Sequence, residues 1–193
     1  MSLPYSVPSV FPIMRRMITL VALPLCMAGA RQAATPILSC DAITNRTTMT
    51  ELQQRYGDSD APERLDVRWA DPQQTRMAAL WTTDRKSAWR SANGIKVGMA
   101  IADVDLLNER PFQLRGFEAE NPGLVLSWAG GKLEPATASP CRLVVRLTPT
   151  VFEFTRLDWR LIEAIQSSAE VVSDDKRIKP YKPVVSAIGL EWR

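Results

Sequence analysis

The sequence predicts an α+β fold in which short helices pack on antiparallel sheet. Three observations carry the prediction. Several stretches alternate apolar and polar residues, the two-residue period of half-buried strands. These stretches come in runs joined by turn residues, and helical signals interrupt the runs at only a few points, unlike an alternating βαβ chain. The 193 residues are 46% hydrophobic and 23% charged, enough to bury a sizeable core without a metal or a dense disulfide set.

Residues 1–30 stand apart. Met14-Arg15-Arg16-Met17 leads into the apolar run Ile18 to Met27, and Ala28-Gly29-Ala30 follows. A basic start, an apolar stretch of about ten residues and an A-x-A site make the pattern of a secretory signal peptide. The run is shorter than the ~20 residues that span a bilayer, and Pro24 breaks it as a buried helix. The expected organisation is an upstream extension and cleaved signal peptide, 1–30, then a single mature α+β domain, 31–193. Residues 1–13 hold three prolines and no charge, upstream of a signal with its own methionine, so translation is expected to start at Met14. Cys26 follows Pro24-Leu25, where a lipobox needs a small residue, so a lipid anchor is not expected. Cleavage near Ala30 makes the protein periplasmic or secreted, with no transmembrane helix in the mature chain.

Removing the leader takes Arg15, Arg16 and one of three cysteines, which leaves 22 basic and 21 acidic residues. A nearly neutral chain carries no electrostatic footprint for nucleic acid. There is no histidine at all. That excludes Ser-His-Asp and Cys-His catalysis, His-ligated zinc and His-ligated haem. No phosphate loop or dinucleotide fingerprint is present, and neither a cofactor nor a metal is expected. The two remaining cysteines, Cys40 and Cys141, are expected to form a disulfide in an oxidising compartment; two separate buried thiols are the alternative.

Along the domain, Thr48-Met49-Thr50-Glu51 reads as a capping box. Leu52 and Tyr56 then share a helix face and Gly57 is a stop, which predicts a helix over 48–56. Leu65, Val67 and Trp69 alternate with Asp66 and Arg68, a strand. The turn Asp71-Pro72-Gln73-Gln74 connects it to a second, Met77 to Thr82. Trp89 sits in a third strand candidate, before the turn Asn93-Gly94. Gly98 to Pro111 is helical, with Ile101, Val104 and Leu107 forming its stripe. Phe112 to Phe117 and Leu124 to Trp128 are strand-like, and Gly130-Gly131 reads as a hairpin turn. Leu143, Val145 and Leu147 alternate with Arg142, Val144 and Arg146, with Cys141 on the inward phase. Residues 157–167 have helical spacing. Val184, Ser186, Ile188, Leu190 and Trp192 alternate with Val185, Ala187, Gly189 and Glu191 in a last strand. The segments 46–57 and 97–109 each set an acid, Glu51 or Asp103, before an apolar residue near a helix start. Two diverged helix-plus-hairpin units, with halves 40–92 and 93–193, are an open alternative to one undivided unit.

The stretch Lys96-Val97-Gly98-Met99 through Asp103-Val104, Leu107-Asn108-Glu109 and Pro111-Phe112 resembles a G-M-x-x-x-[DE]-V-x-x-L-N-G-x-P-F segment of a group of uncharacterised secreted bacterial proteins. Arg115-Gly116-Phe117, Ser127-Trp128-x-Gly130-Gly131-x-Leu133, Ser173-Asp174-Asp175 and Pro183-Val184-Val185 resemble the same group. The sequence departs at Glu109, where the group usually has glycine. More distantly, the glycine-to-proline helix segment is similar to one in outer-membrane assembly lipoproteins of the SmpA/OmlA type and in the β-lactamase-inhibitor-like fold. That resemblance implies short helices on antiparallel sheet and an inhibitor or assembly role, without supplying an activity.

The candidate chemistry is sparse. Ser173 to Lys176 matches S-x-x-K, and Ser91-Ala92-Asn93 matches S-x-N, but their order is reversed and no K-[ST]-G exists. Glu118 and Glu120 flank a turn; paired carboxylates serve glycoside hydrolysis or hard cations, though such loops are usually just solvated. Asp174-Asp175 reads as a helix start, and Asp58-Ser59-Asp60 lacks the glycine and glutamate of a calcium loop. The sequon Asn45-Arg46-Thr47 is taken as chance beside a bacterial-type leader. All six tryptophans follow the leader and most fall on apolar phases, so core packing is their default; Trp128, beside Gly130-Gly131, is the best candidate for an exposed binding ring. Arg142 and Arg146, with Arg115, could form a basic stripe on a sheet face, against the plainer reading of a solvated surface. These residues predict a binding protein of the envelope or exterior, engaging a protein or an envelope component through Trp128, Arg115, Arg142 and Arg146. The alternative is a histidine-independent hydrolase using carboxylates near Glu118 and Glu120.

Overall fold

In the computed structural model, residues 37–56, 65–117, 120–136, 138–151 and 170–193 are described. In chain order they form β1 (Ile37–Leu38), α1 (Met49–Tyr56), β2 (Asp66–Trp69), β3 (Met77–Thr82), β4 (Arg90–Ser91), α2 (Ile101–Asn108), β5 (Gln113–Arg115), β6 (Val125–Ser127), β7 (Cys141–Thr148), β8 (Glu170–Val172) and β9 (Val184–Trp192). The fold is α+β. Two antiparallel sheets dominate, one ordered β2-β3-β9-β7 and one ordered β6-β5-β8; β1 and β4 pair separately and in parallel. Each helix precedes an antiparallel pair, α1 before β2–β3 and α2 before β5–β6. The leader, Asp58-Ser59-Asp60, Glu118 and the helix expected over 157–167 lie outside the described residues.

The capping box forms as its sequence dictates. The Glu51 backbone N–H donates to Thr48 Oγ1 at 3.2 Å, and the Thr48 N–H donates to Glu51 Oε2 at 2.7 Å. These bonds satisfy donors that the start of a helix leaves free. Leu52 and Tyr56 are the buried residues of α1, and the Tyr56 ring meets the edge of Trp89 with centroids 5.0 Å apart. Together with Phe112, Leu114 and Ile188 they belong to a single core cluster.

β9 is the interior strand of the larger sheet, pairing with β3 on one side and β7 on the other. Its sequence alternates, yet both Val185 and Ile188 are completely buried, positions of opposite phase. A bulge explains this. Arg146 pairs with Ala187 and Leu147 with Val185, so Ser186 is the extra residue. One inserted residue reverses which face every later side chain takes. A second irregularity leaves Ala78 unpaired between Met77 and Ala79, and buries Met77 together with Leu80.

Cys40 and Cys141 form a disulfide with Cα atoms 5.7 Å apart, across 101 residues of sequence. It ties the segment after β1 to the start of β7. Two expectations need correction. The strand expected at Trp89 is the two-residue β4, which joins β1 in parallel and makes no hairpin through Asn93-Gly94. That turn is nonetheless tight, with the Ile95 N–H on Ser91 Oγ and the Ser91 N–H on the Ile95 carbonyl. Gly130-Gly131 also joins no hairpin, because β6 pairs with β5 and the chain after the turn folds against α2 instead.

Candidate functional site

Two places in the molecule concentrate the residues singled out from the sequence. The first surrounds α2. Asn108 is fully buried and its amide is fully used. Nδ2 donates to the carbonyls of Arg110 and Trp128 at 2.8 and 2.9 Å, and Oδ1 accepts from the Leu133 N–H at 3.1 Å. Gly131 must be glycine here, since a Cβ would sit 2.3 Å from Asn108 Oδ1. Phe112 packs on Trp128 with ring centroids 5.2 Å apart. The Phe112 N–H donates to Ser173 Oγ, and the Ser173 hydroxyl makes a short bond to the Asp105 carboxylate. Pro183 and Val185 accept from the N–H groups of Ile101 and Gly98.

This cluster is architectural. Its polar groups are spent on backbone partners or, for Ser173 and Asp105, on each other, and Trp128 is only 4% exposed. The expectation of an exposed Trp128 is therefore corrected: its ring is buried against Phe112, and Asn108 binds its backbone carbonyl. Ser173 is buried beside Asp105, and Lys176 is exposed. Ser91 is buried with its hydroxyl on the Ile95 N–H. Burial pushes the Asp105 carboxyl up, and the nearby Asp174 charge adds to this, against the Ser173 hydrogen bond that pulls it down. The Asp175 carboxyl lies below its ordinary value because Arg177 binds it through the side chain, 2.6 Å from Nη2 to Oδ2.

The second place is the outer face of the four-stranded sheet, where a groove of about 660 Å³ opens. Strand register places its residues. One row across the sheet runs Arg68, Ala79, Glu191, Arg142; a second row of the same face runs Asp66, Trp81, Gly189, Val144. Arg146 stands beyond the second row, opposite Ala187. The floor stays low where residues are small. At Gly189 even a Cβ would meet the Leu80 carbonyl oxygen at 2.3 Å and Trp81 Cβ at 2.6 Å.

Glu191 is the groove's carboxylate. It accepts from Arg142 Nε at 2.8 Å and from Arg68 Nη2 at 2.8 Å. Its partial burial alone raises its pKa; the hydrogen bond and charge of Arg142, then those of Arg68, outweigh this and hold it below the ordinary value. Arg146 Nη2 donates to Asn121 Oδ1 at 2.9 Å. Arg142 and Arg146 both line this groove. Arg115 does not join them among the lining residues. It is half-buried on β5, with Nη1 on the Glu120 carbonyl at 3.3 Å.

Arg68, Trp81, Gly189 and Glu191 also line the groove, and sequence reasoning did not assign them to it. Ala187, Gly189 and Glu191 share one phase of the last strand, which was the available signal. Glu120 is exposed and lies outside the groove lining. Among the described residues no group of three acidic or cysteine side chains could hold a metal ion. Among them, too, no helix is long and apolar enough to cross a membrane. The chain matches no protein-family model, no curated protein and no solved structure.

Proposed function

We propose that the protein is an exported binding protein, periplasmic or secreted, that engages a protein or another envelope component through the outer groove of its four-stranded sheet. The observation that carries this reading is the groove's composition. Arginines at its ends frame an apolar floor of Val144, Ala79 and Trp81, and its volume lies in the range of ligand sites. Its carboxylate is bound by two guanidinium groups, which holds those arginines in place as a net positive cluster and does not suit general acid catalysis. Export is supported by the signal-like segment before Ala30 and by the Cys40–Cys141 bridge, which belongs to oxidising compartments.

The test is capture from an envelope extract by immobilised protein, comparing the wild type with Val144→Arg. Val144 is half-buried at the centre of the groove, so arginine there fills it without touching the core. Loss of the captured species with Val144→Arg, at unchanged melting temperature, is the expected result. Equal capture by both proteins would defeat the assignment of the groove.

A further inference from the structure

Resting on that reading, we propose that the groove takes an acidic segment of a partner protein, bound in extended form along β7. Three arginines and one glutamate are the charged residues lining the groove; with Asp66 at its edge, beside Trp81, one positive charge remains uncompensated on this face. Arg68 and Arg142 share Glu191. Arg146 differs: its hydrogen-bond partner among the described residues is the neutral amide of Asn121. The groove therefore has two cationic poles, the Arg68–Glu191–Arg142 cluster and Arg146.

The spacing of these poles favours a peptide. Arg142, Val144 and Arg146 occupy alternate positions of β7 and line the same groove. Along a strand, alternate side chains recur about every 6.8 Å. An extended peptide has the same period, so an acid–apolar–acid pattern on its alternate positions meets arginine, valine and arginine in turn. Val144, with Trp81 across Gly189, forms the apolar middle of the contact. A ligand with one anionic group would use only one pole. Arginine at both poles also fits carboxylate geometry, since its fork of N–H groups donates to both carboxylate oxygens at once.

The experiment uses the full chain and two fluorescein-labelled peptides, one containing Glu-Ser-Val-Ser-Glu and one Gln-Ser-Val-Ser-Gln, followed by fluorescence anisotropy. The acidic peptide is expected to bind at least about tenfold more tightly than the glutamine peptide, and to weaken as salt rises. Arg146→Gln is expected to lower its affinity about tenfold, while Lys132→Gln, outside the groove, leaves it unchanged. Arg146→Lys keeps the charge and should retain part of the affinity. Equal binding of both peptides, or an Arg146→Gln variant that folds and binds as the wild type does, overturns the proposal. So does a preference for vesicles containing an anionic lipid over the acidic peptide. If the acidic peptide fails while Val144→Arg still abolishes capture from the extract, the ligand class falls and the groove stands. If Val144→Arg leaves capture intact, the groove itself is wrong.

Discussion

Glu109 caps α2 with a φ of 62°, in the left-handed region that glycine enters freely and other residues enter at a cost of about 1–2 kcal/mol. Its side chain recovers little, because the ion pair with Lys132 is 65% exposed on both sides. Glu109→Gly should therefore raise stability by about 1 kcal/mol, which a thermal melt would read as a rise of a few degrees. Asp105 makes a second residue-scale prediction. Its folded pKa is raised, so the native state holds this proton to higher pH than the unfolded chain does. Stability from this group then falls as pH rises from the unfolded value through the raised folded one. Asp105→Asn removes the buried charge and keeps an oxygen for Ser173. The variant should be more stable than the wild type near neutral pH, with the gap closing on acidification; an unchanged gap between pH 7 and pH 3 would count against a strained carboxylate.

Elements meet through Asn108, which joins the end of α2 to the segments after β6. Asn108→Ala strips partners from the buried Trp128 carbonyl, the Arg110 carbonyl and the Leu133 N–H, at a cost of about 3 kcal/mol by denaturant melts. Many elements were legible in the sequence. The ends of β3 and β9 fall where alternation placed them, and Thr48 and Glu51 announced α1. Their signals are local: a period, a cap, a turn. What escaped was set by tertiary contact. β1 and β4 are two residues each, too short for any period, and pair in parallel from opposite sides of α1, β2 and β3. The Ser186 bulge reverses the faces of β9 midway, which uniform alternation cannot express. Trp128 looked free because Gly130-Gly131 resembled a hairpin, but Asn108 binds that turn from 20 positions upstream. In the groove, Arg142 and Arg146 were visible as one strand's phase. Arg68 joined them only through a partner 123 positions away, Glu191, whose role depends on which strands become neighbours.

At the scale of the whole molecule, the disulfide is the longest covalent constraint, closing a loop of about 100 residues. The chain-entropy account gives such a bridge up to ~4.7 kcal/mol, acting through the unfolded state. Reduction should lower the melting temperature while leaving the far-ultraviolet spectrum of the surviving native state unchanged below the new transition. A melt indifferent to reductant would show that the bridge contributes nothing. The groove is independent of that bridge in its chemistry, yet both act on β7: Cys141 fixes its first residue, and Arg142, Val144 and Arg146 face the groove after it.

The placement of β9 also governs when the fold can complete. It is the last of the four strands in its sheet to be synthesised, yet it lies between β3 and β7, which have no pairing with each other. Until residues 184–192 have left the ribosome, the β2–β3 ribbon and β7 have no strand between them. The sheet stays open until then. It closes in one late step, when a single strand fills the gap and the groove comes into being with it.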